Sequence, residues 1–294
     1  MSPMSLTPSQ IPLVPKVKKD TILSLLNEGK RLDNRKLDEP RPIMIEPGYI
    51  EKADGSALVR LGETMVLAGV KIELGTPYPD TPNEGIMMVN AEFVPVASPY
   101  FEPGPPDENA FELARVIDRS FRETRAINLE ELAVIPGQKV MIIWDDIYVL
   151  NHAGNLVDAA AIATLAALAT TKVPKVDTQG EQPVIRRHEY DRELPIEKMV
   201  VTATIAKIAD YYLVDPTDEE ESVADSRLSV SFVRDGTIAG IQKTGEGALS
   251  PDDVDNMVEL AWKTASKYFD EVEKAVNAYR KKTSTVSRKE EEKE

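Results

Sequence analysis

Lys139-Val140-Met141-Ile142-Ile143-Trp144-Asp145-Asp146-Ile147-Tyr148-Val149-Leu150 is followed within a few residues by Ala153-Gly154-Asn155-Leu156-Val157-Asp158, and then by an alanine-rich run to Thr171. The first stretch reads as a strongly apolar strand. Residues 158–171 read as a helix that stops near Pro174, and the glycine turn joins the two. A helix whose side chains are mostly methyl groups can lie close against a sheet, and needs no ligand to explain it. Trp144 and Tyr148 share one strand face with Met141 on the other, and all three are expected in the core. Met87-Met88 is expected to serve packing as well. Strand, tight turn and buried helix in succession set the class as α+β.

Working outward, residues 109–126 place Ala110, Leu113, Ala114, Ile117 and Phe121 on one helical stripe. Arg115, Arg119 and Arg122 stand at i, i+4 and i+7 on the opposite side. Three guanidiniums in a row suit a run of backbone phosphates, because each fork can bond a phosphate bidentately. Glu112, Asp118 and Glu123 share that helix, so surface ion pairs of small energetic value are the alternative. β-type segments at 43–50, 56–61, 64–74 and 86–95 precede the helix, followed by a proline-rich loop at 95–106. Beyond a polar connection at 175–195, strands recur at 199–208, 211–214, 226–233 and 237–243, the last two flanking Asp235-Gly236. A final helix opens at Ser250-Pro251 and runs to about Lys281. Strands followed by helix occur twice, which predicts two α/β halves with mixed sheets packed on helices. The expected division is an arm and helix at 1–30, halves at 31–195 and 196–281, and a charged disordered tail at 282–294.

Composition narrows the chemistry. With 50 acidic and 35 basic residues among 294, the chain carries a formal charge of −15, the reverse of a stand-alone nucleic-acid binder. RNA contact is therefore expected to be local and shared with a partner. The absence of cysteine excludes disulfides and thiolate chemistry, and two histidines are too few for a multi-histidine metal centre. No apolar run reaches the roughly 18 residues of a membrane span, so the expectation is a soluble, cytoplasmic chain with no membrane partner.

Several ordered stretches resemble the RNase PH family. Arg31-Leu32-Asp33-Asn34-Arg35 with Arg41-Pro42 resembles its N-terminal R-x-D-G-R…RP signature, with Asn34 in the glycine place. Asp54-Gly55-Ser56-Ala57 and Leu61-Gly62-Glu63-Thr64 resemble its G-S-A…G-x-T strand pair. Glu112–Ser120 resembles the helix after its RNA-binding loop, and Asp146 through Pro174 the strand-turn-helix that holds phosphate. The likeness spans roughly residues 20–270 and is strong as an ordered set, though each motif alone is weak. It implies a duplicated, ribosomal-protein-S5-domain-2-like fold. Glu102–Asn109 and Gly240–Lys243 are most similar to the non-catalytic subunits of the archaeal exosome. That likeness implies a hexameric ring of three heterodimers with a catalytic RNase PH-like subunit, RNA-binding cap subunits, and single-stranded RNA degraded 3′ to 5′ with phosphate.

Phosphorolysis must hold a free anion beside a polyanion, which calls for a fixed cation or a helix N-terminus. Active members of the family place Gly-x-Ser/Thr-Arg at the helix start. Here the turn is Gly154-Asn155-Leu156-Val157, with neither hydroxyl nor guanidinium at its last two positions, and His152 offers only weak compensation. Where active members carry paired arginines, this chain has Asp107-Glu108-Asn109, suited to capping a helix. The expectation is a subunit without catalytic residues and without a cofactor, which supplies Arg115, Arg119 and Arg122 to RNA. Asp225 falls near the position of the family's catalytic acid. Asp218, Glu220 and Asp225 could bind Mg²⁺; a solvated acidic turn over 215–225 is the favoured reading. Lys243 beside Gly245 and Gly247 has a weak phosphate-loop pattern, and His188 with Arg186 and Arg187 reads as a solvated loop. The rivals are a self-sufficient phosphorolytic ribonuclease using Asp225, and an architectural subunit without RNA contact.

Overall fold

The computed structural model describes residues 16–178 and 183–291; the predicted arm, apart from its helix, lies outside them. That helix, α1, spans Lys16–Asn27. The first half is built on β1 (Ile43–Pro47), β2 (Gly55–Leu61), β3 (Thr64–Gly75), β4 (Ile86–Phe93), α2 (Glu108–Glu123), β5 (Ala133–Ile135), β6 (Lys139–Asn151) and α3 (Leu156–Ala169). Its sheet runs β1-β2-β3-β6-β4 with β5 beside β6, and only β4 is parallel to β6. The second half has β9 (Val200–Ile208), β10 (Tyr211–Val214), the one-turn α4 (Asp218–Glu221), β11 (Ser226–Val233), β12 (Ile238–Thr244) and α5 (Pro251–Glu291), after the ribbon strands β7 (Lys172–Asp177) and β8 (Val184–Glu193). Its sheet is antiparallel in the order β10-β9-β11-β12.

The alanine-rich helix is the hub. Every α3 side chain from Asp158 to Leu168 is buried, and the helix packs on β2 and β3 of one sheet and on β9 of the other. Small side chains permit that double contact, because a helix enclosed on both sides has no room for a bulky row. On the second sheet Val201, Ala203 and Val230 line a buried core with α5, where Phe232 meets Trp262 with ring centroids 5.3 Å apart. Thr202 pairs with Ser231 and Thr204 with Ser229, each at 2.8 Å, on the alternate positions of the same strands.

Three expectations need correction. The stretch 175–195 is not a polar connection, because β7 and β8 pair there as an antiparallel ribbon. Pro174 sits within β7 at a register shift, a place where a missing N–H is tolerated. Charged residues at most ribbon positions hide the alternation that marks a half-buried strand. The segment expected as a disordered tail continues α5 as far as Glu291. Trp144 and Tyr148 are half-buried on the face of β6 opposite Ile143 and Ile147, not in the core. Among the described residues no helix is long and apolar enough to cross a membrane.

A buried acid beneath the hub gives a pH prediction. Asp145 on β6 is fully enclosed, accepts one hydrogen bond of 2.7 Å from Thr164, and has a second oxygen without a partner. Burial pushes its carboxyl from 3.8 up to about 7, against the Thr164 hydrogen bond. The folded chain then keeps a proton that the unfolded chain releases. This contribution to stability is complete below 3.8 and is lost as pH rises through about 7. Asp145→Asn, which cannot ionise, is expected to melt a few degrees above the parent at pH 8 and to lose that advantage by pH 5. Thermal melts across that range check it; a pH-independent difference would show that the carboxyl does not titrate.

Candidate nucleic-acid interface

Helix α2 begins as its sequence demands. Asp107 accepts from the Ala110 N–H at 2.9 Å, Glu108 lies in the first turn, and Ala110, Leu113, Ala114, Ile117 and Phe121 are buried. The carboxylates before the helix therefore act on its N-terminus. The opposite side of α2 forms one wall of an open cleft of about 590 Å³, with β11 and β12 across from it. Arg115 and Arg119 line this cleft together with Ser229, Ser231 and Gln242. Neither arginine makes an ion pair among the described residues. Glu112, a candidate partner for Arg115, instead accepts from the Gln242 amide at 3.1 Å.

Arg122 stands apart. Its guanidinium grips Asp118 at 2.6 and 3.1 Å and donates to the Met87 carbonyl at 3.0 Å. The Asp118 hydrogen bonds hold its pKa above the ordinary value. It lines a separate cleft with Tyr78, Glu84 and Arg125. Sequence spacing aligned three arginines, but side-chain partners divide them into two free cations and one tied down.

At the other end of the core, the start of α3 is closed by the chain's own acids. Asn155 takes a left-handed conformation, φ +54°, and its N–H donates to Glu221 at 3.0 Å. Glu221 is also paired with Arg227 at 2.6 Å. Gly154 is required by close approach: a Cβ there would sit 2.3–2.7 Å from backbone atoms of Pro216, Thr217 and Asp218. The segment 215–221 thus lies directly on the turn where an anion would have to enter. His152 does not compensate. Its ring stacks on Phe101, and burial lowers its pKa below the ordinary imidazole value despite nearby Glu221 and Asp218. Its Nδ1 accepts from the Gly154 N–H at 3.3 Å, as a neutral ring can.

The acidic stretch is a solvated turn only in part: Asp218 and Glu219 are exposed, but the other acids are held by the protein. Asp215 is buried and accepts from Arg41 at 2.7 and 2.9 Å and from the Asn155 amide at 2.7 Å. Glu220 is buried, completes a capping box with Thr217, and receives the Arg31 guanidinium. Asp225 faces α1, taking Lys19 at 2.9 Å and the Ala209 N–H at 2.7 Å. Burial works against its charge, but these donors hold its carboxyl below the usual range. Asp218, Glu220 and Asp225 do not converge, and among the described residues no three acidic or histidine side chains are arranged to hold a metal ion. Gly245 and Gly247 back onto the Asp225 backbone, and Lys243 bonds the Gly245 carbonyl at 2.7 Å, so this loop is a packing device. The His188 side chain lies outside the described residues; its backbone belongs to β8.

The resemblance motif at 31–42 proves to be the other half of this network. Arg31, Arg35 and Arg41 all bond the Asp215 region, and Arg41 also donates to the Ala153 and Gly154 carbonyls at 2.8 and 3.2 Å. Asn34 fills the glycine place by taking φ +63°, which asparagine tolerates. Sequence reasoning missed Glu221, whose only signal was membership of an acidic run, and the part of Ser229 and Ser231 in the cleft.

Comparison with known proteins agrees with this architecture. Residues 39–174 match domain 1 and residues 198–264 match domain 2 of the 3′ exoribonuclease family, RNase PH. The chain is 50% identical over 274 residues to the exosome complex component Rrp42 of Sulfurisphaera tokodaii, covering 93% of this chain and all of that one. A solved Archaeoglobus fulgidus exosome with RNA bound to the active site contains a chain of 44% identity and TM-score 0.79, over 87% of this chain and 97% of that chain. An archaeal exosome core gives 39% identity and TM-score 0.76, over 87% and 96%.

Proposed function

The chain belongs to the 3′ exoribonuclease family, and from that premise we propose that it is a non-catalytic, RNA-contacting exosome subunit. In this reading it pairs with a catalytic RNase PH-like subunit, three such heterodimers close a ring, and RNA-binding caps sit on it. The likeness to Rrp42 components and to exosome core chains supports membership of the complex. The observation that carries the non-catalytic role is the closed cradle at α3. Glu221 takes the Asn155 N–H, and segment 215–221 covers the glycine turn. A carboxylate held there repels phosphate, and Leu156 and Val157 supply no cation to outweigh it. RNA contact is assigned to Arg115 and Arg119, which face an open cleft without protein partners. Arg122, tied to Asp118, is left a supporting part in positioning α2.

The test is nucleoside diphosphate release from single-stranded RNA in phosphate and Mg²⁺. The purified chain alone should release none, and activity should appear once the catalytic RNase PH-like partner is added. Release by the isolated chain would overturn this reading and direct attention to Asp225 and His152.

A further inference from the structure

Phe111 lies on the outer face of α2 with 58% of its surface exposed, and its ring stacks on no other ring among the described residues. It stands one turn before Arg115 and two before Arg119, and all three side chains line the same cleft. The floor between α2 and β12 carries hydroxyls, Ser229 and Ser231, and is wide enough for a nucleotide at about 590 Å³. An aromatic face beside two unpaired guanidiniums is the combination that single-stranded nucleic acid uses, with phosphates on the cations and a base on the ring.

We propose that Phe111 is a base-stacking residue, which holds one unpaired base of single-stranded RNA while Arg115 and Arg119 bind the adjoining phosphates. This rests on the RNA reading above and extends it from the backbone to the bases. A protein partner seated on Phe111 would have to cover two guanidiniums that make no ion pair among the described residues, at a desolvation cost, with Glu108, Glu112 and Glu123 lining the same cleft. RNA meets the ring and both cations at once. Stacking is indifferent to which base is presented, so the site reads strandedness rather than sequence.

The experiment measures binding of fluorescent single-stranded RNA to the ring assembled with its catalytic partner, using Phe111→Leu, Phe111→Trp and the double variant Arg115→Ala/Arg119→Ala. Phe111→Leu keeps an apolar side chain without a π-face and is expected to bind about ten-fold more weakly with an unchanged salt slope. Phe111→Trp should restore parent affinity, and an RNA abasic at the stacked position should bind parent and Phe111→Leu rings alike. Parent-like affinity in Phe111→Leu while the double arginine variant is weakened would overturn the stacking role and leave the RNA reading intact. If neither variant weakens binding, the RNA reading itself fails. Loss of ring assembly in Phe111→Leu, seen by size-exclusion chromatography, would place a protein partner on the ring face and also overturn the proposal.

Discussion

Asp215→Ala is expected to destabilise the chain by about 3–5 kcal/mol, enough to take a large part of an ordinary domain's stability. Asp215 has no exposed surface and accepts from Arg41 through both oxygens, from the Arg41 N–H at 2.7 Å, and from the Asn155 amide. Burial disfavours the Arg41 charge; the Asp215 hydrogen bonds and charge outweigh that and hold its pKa above the ordinary value. Removing the acid leaves Arg41 charged and nearly buried with only a hydroxyl and two carbonyls as partners, and leaves unmet the Asn155 amide N–H that does not reach Asp158. The loss should exceed that of a solvent-screened surface pair such as Lys263–Glu259, for which Glu259→Ala is expected to leave stability nearly unchanged. Denaturant unfolding of the two variants measures the contrast directly. Equal midpoints would mean that Arg41 finds another acceptor, and that the junction is not held by this pair.

The contrast explains why the fold was largely legible and the junction was not. Period and turn chemistry identified β6, α3 and the β11–β12 hairpin, because burying one face imposes a pattern on neighbours in sequence. The ribbon β7–β8 and the end of α5 impose no such pattern, since charged and polar residues interrupt any regular apolar face. Asp215, Glu220 and Glu221 were misread for a different reason. A run of acids is usually solvated, and what buries this one is Arg31 and Arg41 from more than 170 residues away. Spacing along the chain carries no trace of that pairing. The signature around 31–42 marked the arginines, but only the fold shows that their partners are the acidic run.

The arginine row shows the same limit at smaller scale. Helical spacing correctly put Arg115, Arg119 and Arg122 on the outer side of α2. Which of them stays free depends on which same-helix acid is available and on neighbours beyond the helix. Gln242 on β12 engages Glu112, while the Met87 carbonyl on β4 helps turn Arg122 away towards Asp118. The closing of the α3 turn was only half visible. Leu156 and Val157 declared a missing cation, whereas the covering segment and Glu221 come from the other half of the chain.

Arg115→Ala/Arg119→Ala, assembled with the catalytic partner, is expected to bind single-stranded RNA on the order of a hundred-fold more weakly. Each guanidinium can make charge-assisted hydrogen bonds to a phosphate, worth roughly 1.5–3 kcal/mol, and neither gives up an existing ion pair to do so. On the proposed reading these are phosphate contacts, so losing two should flatten the dependence of log affinity on log salt by about 1.4 for a single strand. On the proposed reading the chemistry belongs to the partner, so turnover at saturating RNA should stay near that of the parent while the RNA concentration for half-maximal rate rises. Arg122→Ala is the internal control: it removes a guanidinium from the same helix but one already spent on Asp118, and should leave the salt slope unchanged. Titration at several salt concentrations reads both quantities together. A parent-like slope in the double variant would make this chain an architectural element of the ring, whereas a flattened slope with intact turnover makes it the half that guides RNA to chemistry performed next door.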